Sequence, residues 1–521
     1  MVASARRASV VKPTPADVQA QAAQFQVQVA HSFHDAREWV SAALPGPVGG
    51  AVNDALYLVR RLVLPTGEHV GMFGTAECVA AKNCSGKDLT GVQLHDQNLN
   101  GVVWTGTTLT HANFRNADFS TSAGPVPAAS ATVTANAVND ADADLSGANL
   151  SGADLRGANM TRANLTGANL TNAALAGANL TGANLTGADL TNARLKDLGP
   201  NGPTGTNLAG ANLTGANLTG VNLAGVNLAA ANLTRANLAG AGFGADGFPG
   251  ANLTGADLTG ANLTGADLQN RGGSGGANLT NANLTNANLS GAYLSGADLT
   301  NANLTNANLT GTNFIDANLT GANLTNQNLT GYNLTGATLV GANLTGTTLT
   351  GANLNYANLT NQNLTGYNLT GATLTGANLT NANLTNQNLT GYNLTGATLV
   401  GANLTGTTLT GANLTGTNLT NQNLTGYNLT GTTLTGANLT NANLTNQNLT
   451  GYNLTGATLT GANLTFANLA NQNLTGYNLT GTNFIAANLT GANLSGAVTT
   501  GTIFTSASCP NGQVYGSGGN C

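Results

Sequence analysis

Between Leu279 and Leu494 a Leu or Phe stands at every fifth residue, 44 times without a miss. Around it the pentad reads Ala-Asn-Leu-Thr-Gly with small variations. A period of five belongs neither to a helix, at about 3.6, nor to a flat strand, at about 2. An internal repeat this regular sets the architecture ahead of any local propensity. Each pentad offers one large apolar centre and, two residues before it, a small one; both can point inward while the other three positions face solvent. Gly or Asn after Thr supplies turn-compatible backbone. Coils stacked roughly 4.8 Å apart then pair their backbone groups. Leu stacks on Leu in a core that no single coil could bury, and the Asn before each centre is placed to form amide ladders between coils.

The repeat is interrupted, and the interruptions divide the chain. Residues 1–77 differ in composition and read as a helical segment: Phe25, Val29, Phe33, Trp39, Val40 and Leu44 lie at amphipathic spacing within Ala16–Leu44, and a second short helix fits Val52–Leu64 before Pro65. First coils follow over 78–119, with centres from Leu89 to Phe119 in phase with Cys84. Residues 120–143 are an Ala/Ser/Thr-rich loop. The main array runs over 144–498, with Phe243 and Phe248 both read as centres. Near 196–205 it slips phase by three residues and near 269–276 by one, so both are predicted protrusions. Residues 499–521 form a C-terminal cap.

The pentads Ala148-Asn149-Leu150-Ser151-Gly152 and Ala153-Asp154-Leu155-Arg156-Gly157 resemble the pentapeptide repeat family, and the likeness covers about 85 to 498. It implies an all-β solenoid, a right-handed quadrilateral β-helix with four pentads to a coil, here carrying a small α-helical N-terminal segment. About 75 pentads would make about 19 coils and a rod on the order of 90 Å long. Residues 326–385 and 386–445 agree at 56 of 60 positions, a tandem duplication of three whole coils. Such copying is hard to reconcile with a site built on one residue at one place.

One departure from the pattern recurs. The position two before the centre, small elsewhere, holds Gln and Tyr in turn: Gln327/Tyr332, Gln362/Tyr367, Gln387/Tyr392, Gln422/Tyr427, Gln447/Tyr452 and Gln472/Tyr477. A Tyr does not fit a core already filled by four centres per coil without strain. These side chains are therefore expected to swing outward at corners, or the coil to widen locally; the six tyrosines are also a candidate contact surface.

Charge is scarce. Only 7% of residues are charged, and none of Asp, Glu, Lys, Arg or His occurs after Asp316. A net charge of −5 argues against a nucleic-acid-binding face. No apolar run is long enough to span a membrane. General acid–base chemistry needs a titratable group; His31, His34, Asp35 and Glu38 share one predicted helix but read as a solvated face, and His69, His95 and His111 are scattered. No catalytic or metal residue is assigned, and no cofactor is implied. Cys78 with Cys84 and Cys509 with Cys521 are disulfide candidates at the two ends of the array, which favours an oxidising compartment although no signal peptide is visible. Gly46-Pro47 with Asn53–Arg61 resembles a region near the N-terminus of exported proteins of high-GC Gram-positive bacteria. The expected function is a non-enzymatic structural or protein-interaction rod of the bacterial cell envelope or exterior. Its partner would be an unidentified protein or surface, with end-to-end or side-by-side self-association as a further expectation. The alternatives are a DNA-mimic regulator of gyrase, which some relatives in the family are, and binding of ice or another ordered surface through Thr-x-Thr pairs at 348/350, 373/375, 408/410, 433/435 and 458/460.

Overall fold

The computed structural model describes residues 78–95; positions 97, 99, 104, 107–109, 112–114, 117 and 119; and residues 143–515 apart from 200–201, 245–247 and 271–274. The chain divides into Met1–Val70 and Gly71–Cys521, and the described residues all fall in the second unit. The helices expected over Ala16–Leu44 and Val52–Leu64 lie outside the described residues, as do His31, His34, Asp35, Glu38, His69, His111 and Cys521.

Residues 164–168 show why this sequence coils. Taking the C-terminal direction as up, Asn164 N–H donates to Ala143 below (2.9 Å), Leu165 N–H to Asn184 above (2.7 Å) and Gly167 N–H to Thr186 above (2.8 Å). Ala168 N–H closes a turn onto the Leu165 carbonyl (3.0 Å). Thr166 N–H goes to Asn164 Oδ1 (3.2 Å), which also accepts the Thr166 hydroxyl (2.6 Å). All five backbone donors of the unit are thus satisfied, as a backbone largely withdrawn from water requires. The third residue of the turn, Gly167, has φ 65°, the left-handed conformation a type II turn demands. Where Gly is replaced, the substitute is most often Asn, as at Asn172 with φ 59°, because Asn tolerates this region best among side chains with a Cβ.

Parallel bridges recur at 20-residue spacing, Asn164↔Asn184, Asn169↔Asp189, Ala174↔Arg194 and Asn303↔Asn323 among them. Four pentads therefore make one coil with four sides. The first side runs through Asn164 and Asn343, the second through Asn169 and Thr348, the third through Ala174 and Asn353, the fourth through Asn179 and Asn358. Inside, the Leu centres and the Ala two residues before them are buried, Leu165 and Ala163 completely. Each buried Leu contributes about 1.5–3 kcal/mol, but only because the coils on either side cover it. In the first coils Trp104, Phe114 and Phe119 take the centre positions and pack edge-on, with centroids 5.9 Å apart for Trp104–Phe114 and 5.3 Å for Phe114–Phe119. Cys84 fills a centre position and is bonded to Cys78. Cys509, buried at a centre position near the other end, is also disulfide-bonded.

The interruptions are longer than the phase suggests. Thr108 bridges Asn149, 41 residues on; Asn179 bridges Asn207, 28 on; Asn227 bridges Asn252, 25 on; Asn252 bridges Asn278, 26 on. Against a 20-residue coil these leave 21, 8, 5 and 6 residues looped out. Counting phase returns a length only to the nearest multiple of five, so the segment near 269–276, expected to add one residue, adds six. A loop of one whole pentad leaves no trace in the period at all. Phe248 is corrected accordingly: Ala251 N–H closes the turn directly onto the Phe243 carbonyl (2.7 Å), and Phe248 stands outside the continuous core. It is buried instead beneath Lys196, whose Nζ lies 3.9 Å from its ring centroid. Lys196 opens β1 (Lys196–Gly199), which pairs antiparallel with β2 (Gly202–Gly205) as a hairpin outside the coil.

Deleting residues 197–204 removes the eight extra residues and should leave the stack intact, with a cooperative thermal transition within a few degrees of the parent. Deleting seven should carry the next Leu off the core and abolish that transition. A calorimetric scan of both deletions decides whether coil register, rather than the hairpin itself, holds this region.

Candidate functional site

The outer surface of an ordinary pentad is occupied with its own bonding. Asn164 Nδ2 donates to Asp144 Oδ1 below (3.0 Å), and Asn184 Nδ2 donates to the Thr166 hydroxyl (2.9 Å). Asn suits this position because one side chain both accepts within the pentad and donates between coils; a carboxylate can only accept. Asp189, Asp257 and Asp298 each have an Asn above that donates to them: Asn217 (3.1 Å), Asn283 (3.2 Å) and Asn318 (3.1 Å). Among the described residues no two Asp follow each other in successive coils on one side, so no row of carboxylates forms. No group of three His, Cys, Asp or Glu able to hold a metal occurs among them, and no helix is long and apolar enough to cross a membrane. The Thr-x-Thr pairs fall on the second side (Thr348, Thr408), the third (Thr373, Thr433) and the fourth (Thr458).

The Gln/Tyr pairs are where the regular bonding stops. The position two before the centre has one polar acceptor within reach: the carbonyl of the Leu 23 residues earlier. Thr347 uses it through its hydroxyl, 2.9 Å from the Leu324 oxygen, and the ladder beside it stays closed, with Thr348 N–H on the Gln327 carbonyl at 3.1 Å. Gln and Tyr address the same acceptor with longer side chains. Gln327, Gln387, Gln447 and Gln472 donate to Leu304 (2.8 Å), Leu364 (2.7 Å), Leu424 (2.8 Å) and Leu449 (2.7 Å); Gln362 and Gln422 donate to Leu339 and Leu399. Tyr332 donates its hydroxyl to Leu309 at 2.6 Å, and Tyr392 and Tyr477 donate to Leu369 and Leu454. The six glutamines are buried, and the six tyrosines are half-buried against the core. They do not swing outward. The coils part instead, which is the second of the two expected outcomes.

At Gln362/Tyr367 the consequence is explicit. Leu339 N–H below the pair still reaches Asn358 (2.8 Å), and Leu354 N–H beyond it reaches Thr373 (2.9 Å). Between them Leu344, Gly346 and Leu349 N–H on the lower lip, and Asn363 and Asn368 N–H on the upper, donate to nothing. The parted lips, residues 342–348 and 362–368, enclose an open cleft of about 660 Å³. The same bridges are missing at every Gln/Tyr pair: five gaps on the second side, four on the third, two on the first and one on the fourth. Along the fourth side the column is continuous from Asn159 to Thr458.

Sequence reasoning marked the right residues here but overlooked others. Tyr356 and Phe466, 65% and 59% exposed, occupy the third turn position with φ 59° and 57°, where any side chain projects away from the coil. The Tyr356 ring lies over Gly376; a Cβ there would come within 2.4 Å of it. The signal was available, because an aromatic had replaced Gly at a corner.

Burial raises the hydroxyl pKa of Tyr332, Tyr367, Tyr392, Tyr427, Tyr452 and Tyr477 above the ordinary 10.0. The folded state thus holds these protons more tightly than the unfolded chain. Their contribution to stability is complete below pH 10.0 and is lost as pH rises through and past that value. Denaturant melts at stepped alkaline pH should show this loss, and phenolate absorbance should rise with unfolding. A second test uses Q362A/Y367A, which returns both positions to the residue of neighbouring pentads. Hydrogen exchange at Leu344 and Leu349 should slow about tenfold or more as the ladder closes; unchanged exchange would show that Gln and Tyr are not what parts the coils.

The family model for pentapeptide repeats (8 copies) matches overlapping segments from residue 88 to residue 516. Its breaks at 123–140, 198–203, 243–247 and 271–276 fall where the structure loops residues out. No curated protein matches. Among solved structures the chain is similar to HetL, a protein involved in heterocyst differentiation regulation from the cyanobacterium Nostoc, at 30% identity over 53% of this chain and 94% of that one, with a TM-score of 0.24. It is similar to QnrB1, a plasmid-mediated fluoroquinolone resistance protein, at 20% identity over 46% and 90%, TM-score 0.17. A thylakoid-lumen protein of Arabidopsis thaliana matches at 29% identity over 27% and 68%, TM-score 0.10.

Proposed function

The chain belongs to the pentapeptide repeat family, and from that premise we propose that it is a non-enzymatic structural or interaction rod of the cell envelope or exterior. The right-handed quadrilateral β-helix of the family is the form this rod would take. One observation carries the reading: from residue 317 onward the repeat holds no Asp, Glu, Lys, Arg or His, and its Asn and Thr side chains are engaged with their own neighbours. Such a surface offers length and repetition but no group to move a proton. The absence of carboxylate rows among the described residues weighs against a DNA-mimic role, and the scattering of Thr-x-Thr over three sides weighs against a flat ordered-surface binder.

The disulfide at Cys78–Cys84 supports an oxidising location. Cell fractionation with thiol titration of the intact protein tests this. We expect the protein in the envelope or medium fraction, with no thiol reacting until a reductant is added. Cytoplasmic protein whose cysteines all react without reduction would refute the exported-rod reading.

A further inference from the structure

We propose that the openings at the six Gln/Tyr pairs are binding sites for an uncharged polyhydroxylated polymer, a neutral polysaccharide; this rests on the reading of the rod as an interaction surface and names its ligand class. The argument begins with what an opening offers. At Gln362/Tyr367 five backbone N–H groups, on Leu344, Gly346, Leu349, Asn363 and Asn368, have no acceptor, and the Thr347 and Asn363 carbonyls have no donor. Backbone groups left in this state cost free energy unless something outside the chain satisfies them. A hydroxyl both donates and accepts through one oxygen, so it can join an N–H of one lip to a carbonyl of the other.

Charge selects further. No ionisable acid or base lies within either lip, and none occurs anywhere after Asp316. An anionic or cationic ligand would surrender its hydration without gaining a partner. The half-buried ring of Tyr367 gives the cleft an apolar wall with a polar tip, a surface suited to a ligand that presents both C–H faces and hydroxyls.

An inserted peptide strand would also use unpaired backbone, but it does not fit. A strand carries side chains on both faces, and the inward face of the opening is already filled by Gln362, bonded across to Leu339, and by Tyr367 against the core. What enters must approach from outside and be small in cross-section. The cleft volume, about 660 Å³, lies in the range of small-ligand sites.

Repetition points to a polymer. The pairs recur at intervals of 35 or 25 residues from Gln327 to Gln472, and the duplicated segment 386–445 copies two of them intact. Extra copies add sites along one ligand, and linked weak sites bind together far more tightly than one alone.

The test uses the full chain against size-fractionated neutral polysaccharides (dextran, mannan and galactan), with hyaluronan as an anionic control, in affinity electrophoresis and calorimetry. The comparison variant replaces all six Gln and all six Tyr by Ala, the residue that neighbouring pentads already carry, so folding is preserved; hydrogen exchange at Leu344 and Leu349 verifies closure. At least one neutral polymer should retard the parent protein, with affinity lower by about tenfold or more in the closed variant, and hyaluronan should not retard it. The proposal is overturned if no neutral polymer binds although the parent's openings exchange freely, which would mean water alone fills them. Equal binding by the closed variant, or equal binding of hyaluronan, would overturn it too. None of these failures touches the rod reading, which stands or falls on location and thiol state.

Discussion

The Asn amide before each centre is the interaction on which the rest of the molecule depends. Its oxygen holds the Thr backbone and hydroxyl of its own pentad, fixing the turn, while its nitrogen can donate to the coil below, fixing the stack. Each bond is worth on the order of 1 kcal/mol net, but they form together, since a coil that lacks its neighbour loses both ladder and core cover. This explains how the chain dispenses with charge. Its polar surface is bonded to itself, and an ionised side chain at this position would lose the donor half of the arrangement. It also explains the many Asn-Leu-Thr triplets as products of turn geometry rather than as signals for modification.

Much of this was legible beforehand because it follows from one period. Leu inward, Ala inward two residues earlier, Gly or Asn at the turn and Asn in ladders are all consequences of stacking identical units. The lengths of the interruptions were not legible, because a period reports an insertion only to the nearest multiple of its own length; Phe248 looked like a centre for that reason. The behaviour of Gln and Tyr was legible only as a pair of alternatives. Deciding between them needed the position of one acceptor, the Leu carbonyl 23 residues back, which draws Gln362 and Tyr332 inward and lets the ladder give way.

Thr347, Gln362 and Tyr332 address the same type of carbonyl from the same place in the pentad, with different results. Thr does so without separating the coils. In Gln/Tyr pentads the added length is accommodated by opening the wall. Side-chain length at one position in five thus sets whether a stretch of solenoid is sealed or porous. That degree of freedom is invisible in the apolar pattern, which stays perfect throughout.

The distribution of these openings has a mechanical consequence. The second side is spread at five places and the fourth, opposite it, at one. A stack wedged apart along one wall and tied along the other must curve toward the tied wall, as a course of tapered bricks does. Each 60-residue duplication brings its own wedges in the same register, so lengthening the chain this way extends an arc rather than a straight column. We infer that curvature is copied along with length; a straight scattering profile for the charge-free half would contradict it.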